Sequence, residues 1–224
     1  MSKDWLKTAP TRALTTTGAS KHAERGLTSV RDEVRKRFGS PEVQQRFRRH
    51  MAMMLLDGSS SMAGEDKLQH AKSGVVEFAN KANALGYEVG LVVFNCTAEL
   101  LLPPCRDTAQ LRAVLRPVTA TGGTNLTAAL SLSLENLTAN GLRAAVVATD
   151  GYPNDRPSAL AVALEMKNAG IRIITIGTPD ADQAFLRELA SASDLASVVT
   201  NAELQRAIAA SATRLLLPSA NPRR

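Results

Sequence analysis

Three oxygen-bearing side chains follow a short apolar run at residues 51–56 and occupy alternate positions. They are Asp57, Ser59 and Ser61, with Gly58 between the first two. In a loop at the carboxyl end of a strand, this alternation can turn all three side chains toward one point. One carboxylate and two hydroxyls form a hard-oxygen ligand set that suits Mg²⁺ or Mn²⁺ better than zinc. The same residues are also typical of a turn followed by a helix cap, and this short pattern taken alone favours the turn.

Two further loops carry oxygen ligands next to predicted strands or helices. Residues 122–125, Gly-Gly-Thr-Asn, precede a predicted helix, and residues 149–151, Thr-Asp-Gly, follow a predicted strand. The double glycine lets the backbone approach closely and present Thr124 at the N-terminus of the helix. In an open parallel sheet, ligands bind outside the carboxyl ends of the strands. If the strands before Asp57 and Asp150 are neighbours, all three loops face one crevice.

Strands and helices alternate along the chain after residue 50. Residues 51–56 are too few for an ordinary helix and suit a strand that is buried on both faces. The apolar spacing and the turn residues predict six strands, at residues 51–56, 88–95, 98–102, 143–149, 171–176 and 196–200. The same signals predict helices at residues 67–85, 108–115, 126–137, 158–168, 184–192 and 203–216.

The order of these elements predicts an α/β fold. Alternating strands and helices in one chain are typical of a mainly parallel sheet with helices on both faces. The expected architecture is a doubly wound, Rossmann-like, six-stranded sheet. Residues 88–95 and 98–102 are separated by two residues only, which indicates a hairpin, so one antiparallel edge strand is expected. Pro103 and Pro104 are expected to end that edge strand.

The three loops together resemble a known metal site. The D-x-S-x-S sequence, the threonine of the G-G-T loop and the aspartate of T-D-G are similar, position by position, to the metal-ion-dependent adhesion site of von Willebrand factor type A domains. The matching residues are Asp57, Ser59, Ser61, Thr124 and Asp150. The order of elements from residue 51 to residue 216 is also similar to that family.

The resemblance implies a divalent cation and a protein partner. Ser59 and Ser61 would bind the ion directly, and Thr124, Asp57 and Asp150 would bind it directly or through water. Mg²⁺ or Mn²⁺ is expected, and Ca²⁺ less so. The ion would keep an open coordination position, which in this family is commonly filled by a carboxylate of a partner protein. Three residues are expected at the partner-binding rim of the site, namely Asn125, Tyr152 and Asn154.

Positive charge is concentrated in the N-terminal part of the chain. Of the 27 Lys and Arg residues, twelve lie in residues 1–50 beside five Asp and Glu, and the remainder of the chain is close to neutral. This asymmetry predicts a basic arm over residues 1–50, and the apolar spacing of Leu27, Val30, Val34 and Phe38 predicts that the arm is partly helical. The arm would be followed by the von Willebrand factor A domain over residues 51–217 and a short tail over residues 218–224.

The sequence also bears on the expected location of the protein. Its N-terminus lacks the apolar segment of a signal peptide, and it contains no apolar run long enough to span a bilayer. We therefore expect a cytoplasmic protein with no membrane contact, and the family resemblance implies one of the bacterial type. Cys96 and Cys105 are expected to be thiols in a reducing compartment.

The favoured function is that of a binding protein, not an enzyme. Members of the family without secretion signals often act as scaffolds beside AAA+ ATPases, kinase–phosphatase pairs or stress-response systems such as tellurium-resistance clusters. The resemblance therefore makes a kinase, a phosphatase or an AAA+ ATPase a candidate partner. The Thr-rich segment at residues 8–17 could be phosphorylated and bound by a phosphothreonine-binding protein.

Two alternatives stay open at this point. One is a metal-dependent phosphatase or hydrolase that uses Asp57 or a metal-bound water. The sequence opposes it, because no general base or second metal is apparent beside the site. The other is a regulator that binds nucleic acid through residues 1–50. It is not favoured, because no module of a known nucleic-acid-binding fold is visible there.

Overall fold

The computed structural model describes residues 48–216. This range contains six strands: β1 (His50–Asp57), β2 (Tyr87–Phe94), β3 (Ala98–Cys105), β4 (Arg143–Thr149), β5 (Ile171–Gly177) and β6 (Ala196–Val198). It contains six α-helices: α1 (Lys67–Ala84), α2 (Thr108–Leu115), α3 (Leu126–Asn136), α4 (Arg156–Asn168), α5 (Gln183–Leu189) and α6 (Leu204–Arg214). Short 3₁₀ turns lie at Ser60–Ala63, Ser193–Leu195 and Asn201–Glu203.

The six strands form one sheet in the order β3-β2-β1-β4-β5-β6. β1 pairs in parallel with both β2 and β4, and β5 and β6 continue the parallel pairing beyond β4. β3 alone is antiparallel, and it pairs with β2 at the edge. The chain therefore winds outward from β1 to one edge and then returns to β4 on the other side of β1. The predicted doubly wound sheet with one antiparallel edge strand is confirmed.

β1 lies in the middle of the sheet, and its side chains alternate between two hydrophobic cores. Met54 and Leu56 belong to one core, whereas Met53 and Leu55 belong to the other. All four are fully buried. The alternation follows from the two-residue period of a strand, and the double burial follows from helices on both faces.

Helices cover both faces of the sheet. Helices α1, α2 and α6 bury Phe78, Leu111 and Ile208 against one face. Helices α3, α4 and α5 cover the other face, with Met166 and Phe185 among the buried side chains. The packed faces leave the two ends of the strands for loops, and the loops at the carboxyl end carry the predicted site.

The edge strand β3 is longer than the sequence predicts. Pro103 and Pro104 were expected to end it, but the strand continues to Cys105. That prediction was wrong because β3 pairs on one side only, where a missing N–H is tolerated. The pairing is also irregular here, since the register shifts on both sides of Leu91 in β2.

The predictions for the N-terminal arm fall almost wholly on residues 1–47, which lie outside the described residues. The same holds for the Thr-rich segment and for the tail at residues 218–224. At the start of the described range, Arg49 forms an ion pair with Glu88 of β2, and β1 begins at His50. Among the helices of residues 48–216, none has the length and apolar character needed to cross a bilayer.

Candidate metal site

The carboxyl ends of β1 and β4 lie side by side in the middle of the sheet. Leu56 of β1 pairs with Ala148 of β4, so Asp57 and Thr149, the last residues of these two strands, are neighbours. The hydroxyl of Thr149 donates a hydrogen bond to Oδ2 of Asp57. The winding direction of the chain reverses here, and the crevice at such a switch point is where open α/β sheets bind ligands.

The loop after β1 turns back at once. Oδ1 of Asp57 accepts a hydrogen bond from the backbone N–H of Ser59 at 2.8 Å, which forms the turn that the sequence allows. Ser59 precedes the 3₁₀ turn Ser60–Ala63, but its side chain does not cap that turn. Its hydroxyl instead lies 2.9 Å from the hydroxyl of Ser61. The loop thus combines a turn with a cluster of one carboxylate and two hydroxyls.

Asp150, directly after β4, joins this cluster. Its Oδ1 accepts a hydrogen bond from the Ser61 hydroxyl at 2.6 Å, and its Oδ2 accepts one from the Lys67 ammonium at 2.8 Å. The same ammonium donates to Oδ2 of Asp180, in the loop after β5, at 2.9 Å. The bond with Asp150 is the main cause that raises the pKa of Lys67 above its ordinary value, so the ammonium is charged at neutral pH.

The glycine loop brings Thr124 to the same crevice. Gly122 has a φ of +77°, a backbone conformation that favours glycine, and its carbonyl accepts a hydrogen bond from the N–H of Ser60 at 3.0 Å. Asn154 holds Thr124 from the other side. Its N–H donates to the Thr124 carbonyl at 3.0 Å, and its Oδ1 accepts from the Thr124 N–H at 3.1 Å. The bond of Ser60 to Gly122 and the two bonds of Asn154 to Thr124 therefore fix the position of Thr124.

Gly151 marks the point around which the side chains converge. A β-carbon placed on Gly151 would lie 3.1 Å from Oγ1 of Thr124, 3.6 Å from Oγ of Ser61 and 3.7 Å from Oδ2 of Asp57. The Ser61 hydroxyl in turn contacts the other two predicted ligands. The structure therefore brings together all five residues that the sequence suggests as metal ligands. A β-carbon at position 151 would press on the Thr124 hydroxyl and lie in ordinary contact with Ser61 and Asp57, so glycine leaves room at this point.

The chemistry of these donors fits a small, hard cation. Two carboxylates and three hydroxyls offer only oxygen, and four of the five residues are buried. Burial is the main cause that raises the pKa of Asp57; hydrogen bonds from Thr149 and Ser59 oppose this shift, and the charge of Asp150 adds to it. A nearby cation would stabilise such a carboxylate in its ionised form. Binding of an ion by these residues stays a prediction.

The three residues predicted at the rim have different surroundings. Tyr152 is 66% exposed. Asn125 caps α3 by accepting a hydrogen bond from the N–H of Ala128 at 3.2 Å, and its amide donates to the Cys96 carbonyl at 3.2 Å. Asn154 holds Thr124. Two of the three therefore stabilise the glycine loop, and contact of any of them with a partner stays a prediction.

Sequence reasoning missed three residues that shape the site: Lys67, Thr149 and Asp180. Lys67 does give a local signal, because it is the first residue of α1, where the helix dipole disfavours a cation that has no acid close by. Thr149 was recognised only as part of a strand and loop. Asp180 contacts Lys67 because the loop after β5 lies beside the start of α1 in the fold, and no local sequence pattern indicates this proximity.

Comparison with known proteins places the chain in a family. A family model described as von Willebrand factor type A domain matches residues 53–211. The 60 kDa subunit of the magnesium chelatase of Cereibacter sphaeroides is 32% identical over 153 residues, which cover 61% of this chain and 27% of that protein. The chain thus corresponds to a minor part of the length of this curated relative.

Solved structures share the architecture. The vWF domain of the type V pili tip protein Mfa5 from Porphyromonas gingivalis has a TM-score of 0.69 at 17% identity, covering 79% of this chain and 98% of that one. The manganese-loaded TRAP protein of Plasmodium vivax has a TM-score of 0.61 at 20% identity, covering 72% of each chain. At these identities the structures show the shared fold alone. Because the family match spans most of the chain and the architecture agrees, the chain belongs to the von Willebrand factor type A domain family.

Proposed function

We propose that this chain is a metal-dependent protein-interaction module. Its cation would be held by the five converging residues, which are Asp57, Ser59, Ser61, Thr124 and Asp150. The observation that carries the proposal is the meeting of these side chains around Gly151 from three loops that are distant in sequence. Mg²⁺ or Mn²⁺ fits the small set of oxygen donors best. Ca²⁺ fits less well, since it takes six to eight oxygen ligands, whereas Mg²⁺ takes six, keeps several of them as waters and binds through one or two carboxylates.

The charges of the site favour an acidic partner. Only two of the five side chains are carboxylates, so the protein adds few negative charges to a divalent cation, and the cation supplies attraction for one more anionic oxygen. We propose that a carboxylate of a partner protein provides that oxygen. Tyr152, which follows Gly151 and is exposed, is placed to contact the same partner.

The relatives support an interaction role. Von Willebrand factor type A domains are generally interaction modules, and the curated relative is one subunit of a magnesium chelatase. We propose that this chain likewise works in a multi-protein system of a bacterial cytoplasm. The partner would be a kinase, a phosphatase or an AAA+ ATPase, for example in a stress response such as tellurium resistance.

Isothermal titration calorimetry with MgCl₂ and MnCl₂ tests the proposed cation site. The wild-type chain should bind one ion with a dissociation constant of about 10⁻⁶ to 10⁻³ M. Asp57→Ala and Thr124→Ala should abolish binding. Thr127→Ala, a matched change in α3 outside the five residues, should leave it unchanged. No binding by the wild type at millimolar metal, or equal binding by Asp57→Ala, would contradict the proposal.

Three assays distinguish the interaction module from the alternative functions. Hydrolysis of phosphate esters or peptides that requires Mg²⁺ and is lost in Asp57→Ala would replace the binding module with a hydrolase. A salt-dependent shift of a DNA or RNA probe, lost on deletion of residues 1–47, would support a nucleic-acid-linked regulator. A partner captured in Mg²⁺ and released by EDTA would support the interaction module.

A further inference from the structure

Lys67 is a buried lysine in direct contact with the candidate metal site. Its side chain is 10% exposed, and its ammonium donates to Oδ2 of Asp150 at 2.8 Å and to Oδ2 of Asp180 at 2.9 Å. The other oxygen of Asp150, Oδ1, accepts from the Ser61 hydroxyl at 2.6 Å. Lys67 therefore fixes the rotation of the Asp150 carboxylate, with one oxygen on the hydroxyl cluster and the other on the ammonium.

The place of Lys67 is unfavourable for a cation. It is the first residue of α1, where the helix dipole repels positive charge, and burial of an ammonium is costly unless it is paired. An apolar pair of similar volume would often stabilise such a position equally well. Packing alone therefore does not explain why a charged residue occupies position 67, and we ask what its charge does at the site.

The charge alters the balance at the site. The carboxylates of Asp57 and Asp150 together would neutralise a divalent cation. When the ammonium of Lys67 is added to these two carboxylates and the ion, and before Asp180 is considered, the loaded site keeps one net positive charge. The carboxylate of Asp180 contacts the same ammonium at 2.9 Å and offsets part of this positive charge. Because 66% of its side chain is exposed, it offsets less than a buried carboxylate would.

We propose that Lys67 is a positioning residue that weakens the hold of the site on its metal ion and strengthens the attraction of the loaded site for an acidic partner. This inference rests on the proposed function. The positive charge of Lys67 repels the incoming cation, which lowers the affinity of the site for the metal ion. The same charge attracts an approaching carboxylate, which raises the affinity of the loaded site for an acidic partner. In addition, it keeps Oδ1 of Asp150 turned toward the hydroxyls.

Two affinities of the 224-residue chain test this role. The first is the affinity for Mn²⁺ alone, measured by calorimetry. The second is the affinity of the Mn²⁺-loaded protein for acetate, measured as the fall in water-proton relaxation when acetate displaces bound water. Lys67→Met removes the charge at nearly the same length. Lys67→Gln also removes the charge but keeps a donor for Asp150, so it reports even if the Met variant does not fold.

Two further variants serve as controls. Lys67→Arg keeps the charge and should stay close to the wild type in both affinities. Lys72→Met removes another lysine of α1, whose ammonium donates to the carbonyl of Val118 at 2.5 Å, and should leave both affinities unchanged. These controls separate the effect of charge at position 67 from that of losing a lysine in α1.

The expected result is a pair of opposite changes. In Lys67→Met and Lys67→Gln, the Mn²⁺ affinity should rise about tenfold and the acetate affinity should fall about tenfold. A structural defect would weaken both affinities together. If the wild type binds Mn²⁺ and the two affinities do not change in opposite directions, the role of Lys67 is overturned while the proposed function stands. If the wild type does not bind Mn²⁺, both are overturned.

Discussion

The Thr149 hydroxyl at the end of β4 donates a hydrogen bond to Oδ2 of Asp57 at the end of β1. Both residues are buried, and the second oxygen of Asp57 is occupied by the N–H of Ser59. The contact exists because β1 and β4 are neighbours in the sheet. It therefore couples the geometry of the candidate metal site to the pairing of the two central strands.

Replacing Thr149 by Val tests this coupling. Val has nearly the same shape but cannot donate, so one oxygen of Asp57 loses its partner. The free energy of unfolding should fall by about 1–2 kcal/mol. The Mn²⁺ affinity should fall as well, because loss of a hydrogen bond to a carboxylate raises its pKa further and favours the protonated form. Urea denaturation and calorimetry measure the two effects.

Thr175→Val is the matched control for Thr149→Val. Thr175 is a buried threonine of β5 whose hydroxyl donates to the carbonyl of Leu186 at 2.9 Å, outside the five candidate ligands. This variant should lose a similar amount of stability and keep the wild-type affinity for Mn²⁺. Equal losses of Mn²⁺ affinity in the two valine variants would contradict a specific coupling through Asp57.

Asp57 should make the metal-free protein less stable as the pH rises. Burial raises the pKa of Asp57 above that of the unfolded chain, so the folded protein holds the proton more tightly. The resulting stabilisation is complete below the unfolded pKa and is lost as the pH rises through the raised pKa of the folded state. Asp57→Asn should therefore gain stability relative to the wild type as the pH rises above about 4, the ordinary pKa of an aspartate.

Urea denaturation in EDTA across that pH range measures the difference between Asp57→Asn and the wild type. The two proteins should be nearly equally stable below a pH of about 4, where Asp57 of the wild type is protonated in the folded and in the unfolded state. Asp57→Asn should meanwhile bind no Mn²⁺ at pH 7. A variant that is less stable than the wild type at every pH, with no trend, would show that the buried charge is not destabilising.

Gly122→Ala should damage the glycine loop. Its φ of +77° disfavours any side chain, and a β-carbon there would lie 2.8 Å from Sγ of Cys96. We expect a loss of about 1–2 kcal/mol in unfolding free energy, with weaker Mn²⁺ binding because the loop carries Thr124.

Gly86→Ala is the control for Gly122→Ala. Its φ is +87°, and apart from Gly86 and its two chain neighbours no described atom lies within 4 Å of the position of a β-carbon. It should show backbone strain of about 1 kcal/mol and an unchanged Mn²⁺ affinity. If Gly122→Ala binds Mn²⁺ as tightly as Gly86→Ala does, the loop does not position a ligand.

Asn154→Ala should weaken metal binding without removing a ligand. It deletes the hydrogen bond from the Thr124 N–H to Oδ1 of Asn154, which is 3.1 Å long. Loss of about 1 kcal/mol of positioning corresponds to about fivefold weaker Mn²⁺ binding. Tyr152→Ala, two residues away and exposed, should leave the Mn²⁺ affinity intact and weaken only the capture of a partner. If calorimetry shows that Tyr152→Ala weakens Mn²⁺ binding and Asn154→Ala does not, these assignments are contradicted.

The sequence predicts most of the architecture because the relevant signals are local. The apolar residues of β1 and the helix stops at Gly86 and Gly170 lie within a few positions of the elements they define. The candidate site could also be found, since Asp57 and Asp150 each follow a buried strand. The rule that parallel strands bind ligands at their carboxyl ends then brings the loops together.

The features that could not be predicted depend on contacts between distant parts of the chain. β3 was expected at the edge of the sheet, but its continuation through Pro103 depends on how far it pairs with β2, which the local sequence pattern does not show. The contact of Thr149 with Asp57 requires the pairing of β1 with β4. Lys67 and Asp180 meet through the packing of α1 beside the loop after β5. In each case the deciding partner is remote in sequence.

Anomalous diffraction from crystals soaked in MnCl₂ tests the central claim most directly. The claim is that the five residues around Gly151 hold one divalent cation. An anomalous peak should lie among the hydroxyls of Ser59, Ser61 and Thr124, and it should be absent in crystals of Asp57→Ala. A peak held by other residues, or no peak at the carboxyl ends of β1 and β4 at millimolar Mn²⁺, would contradict the account.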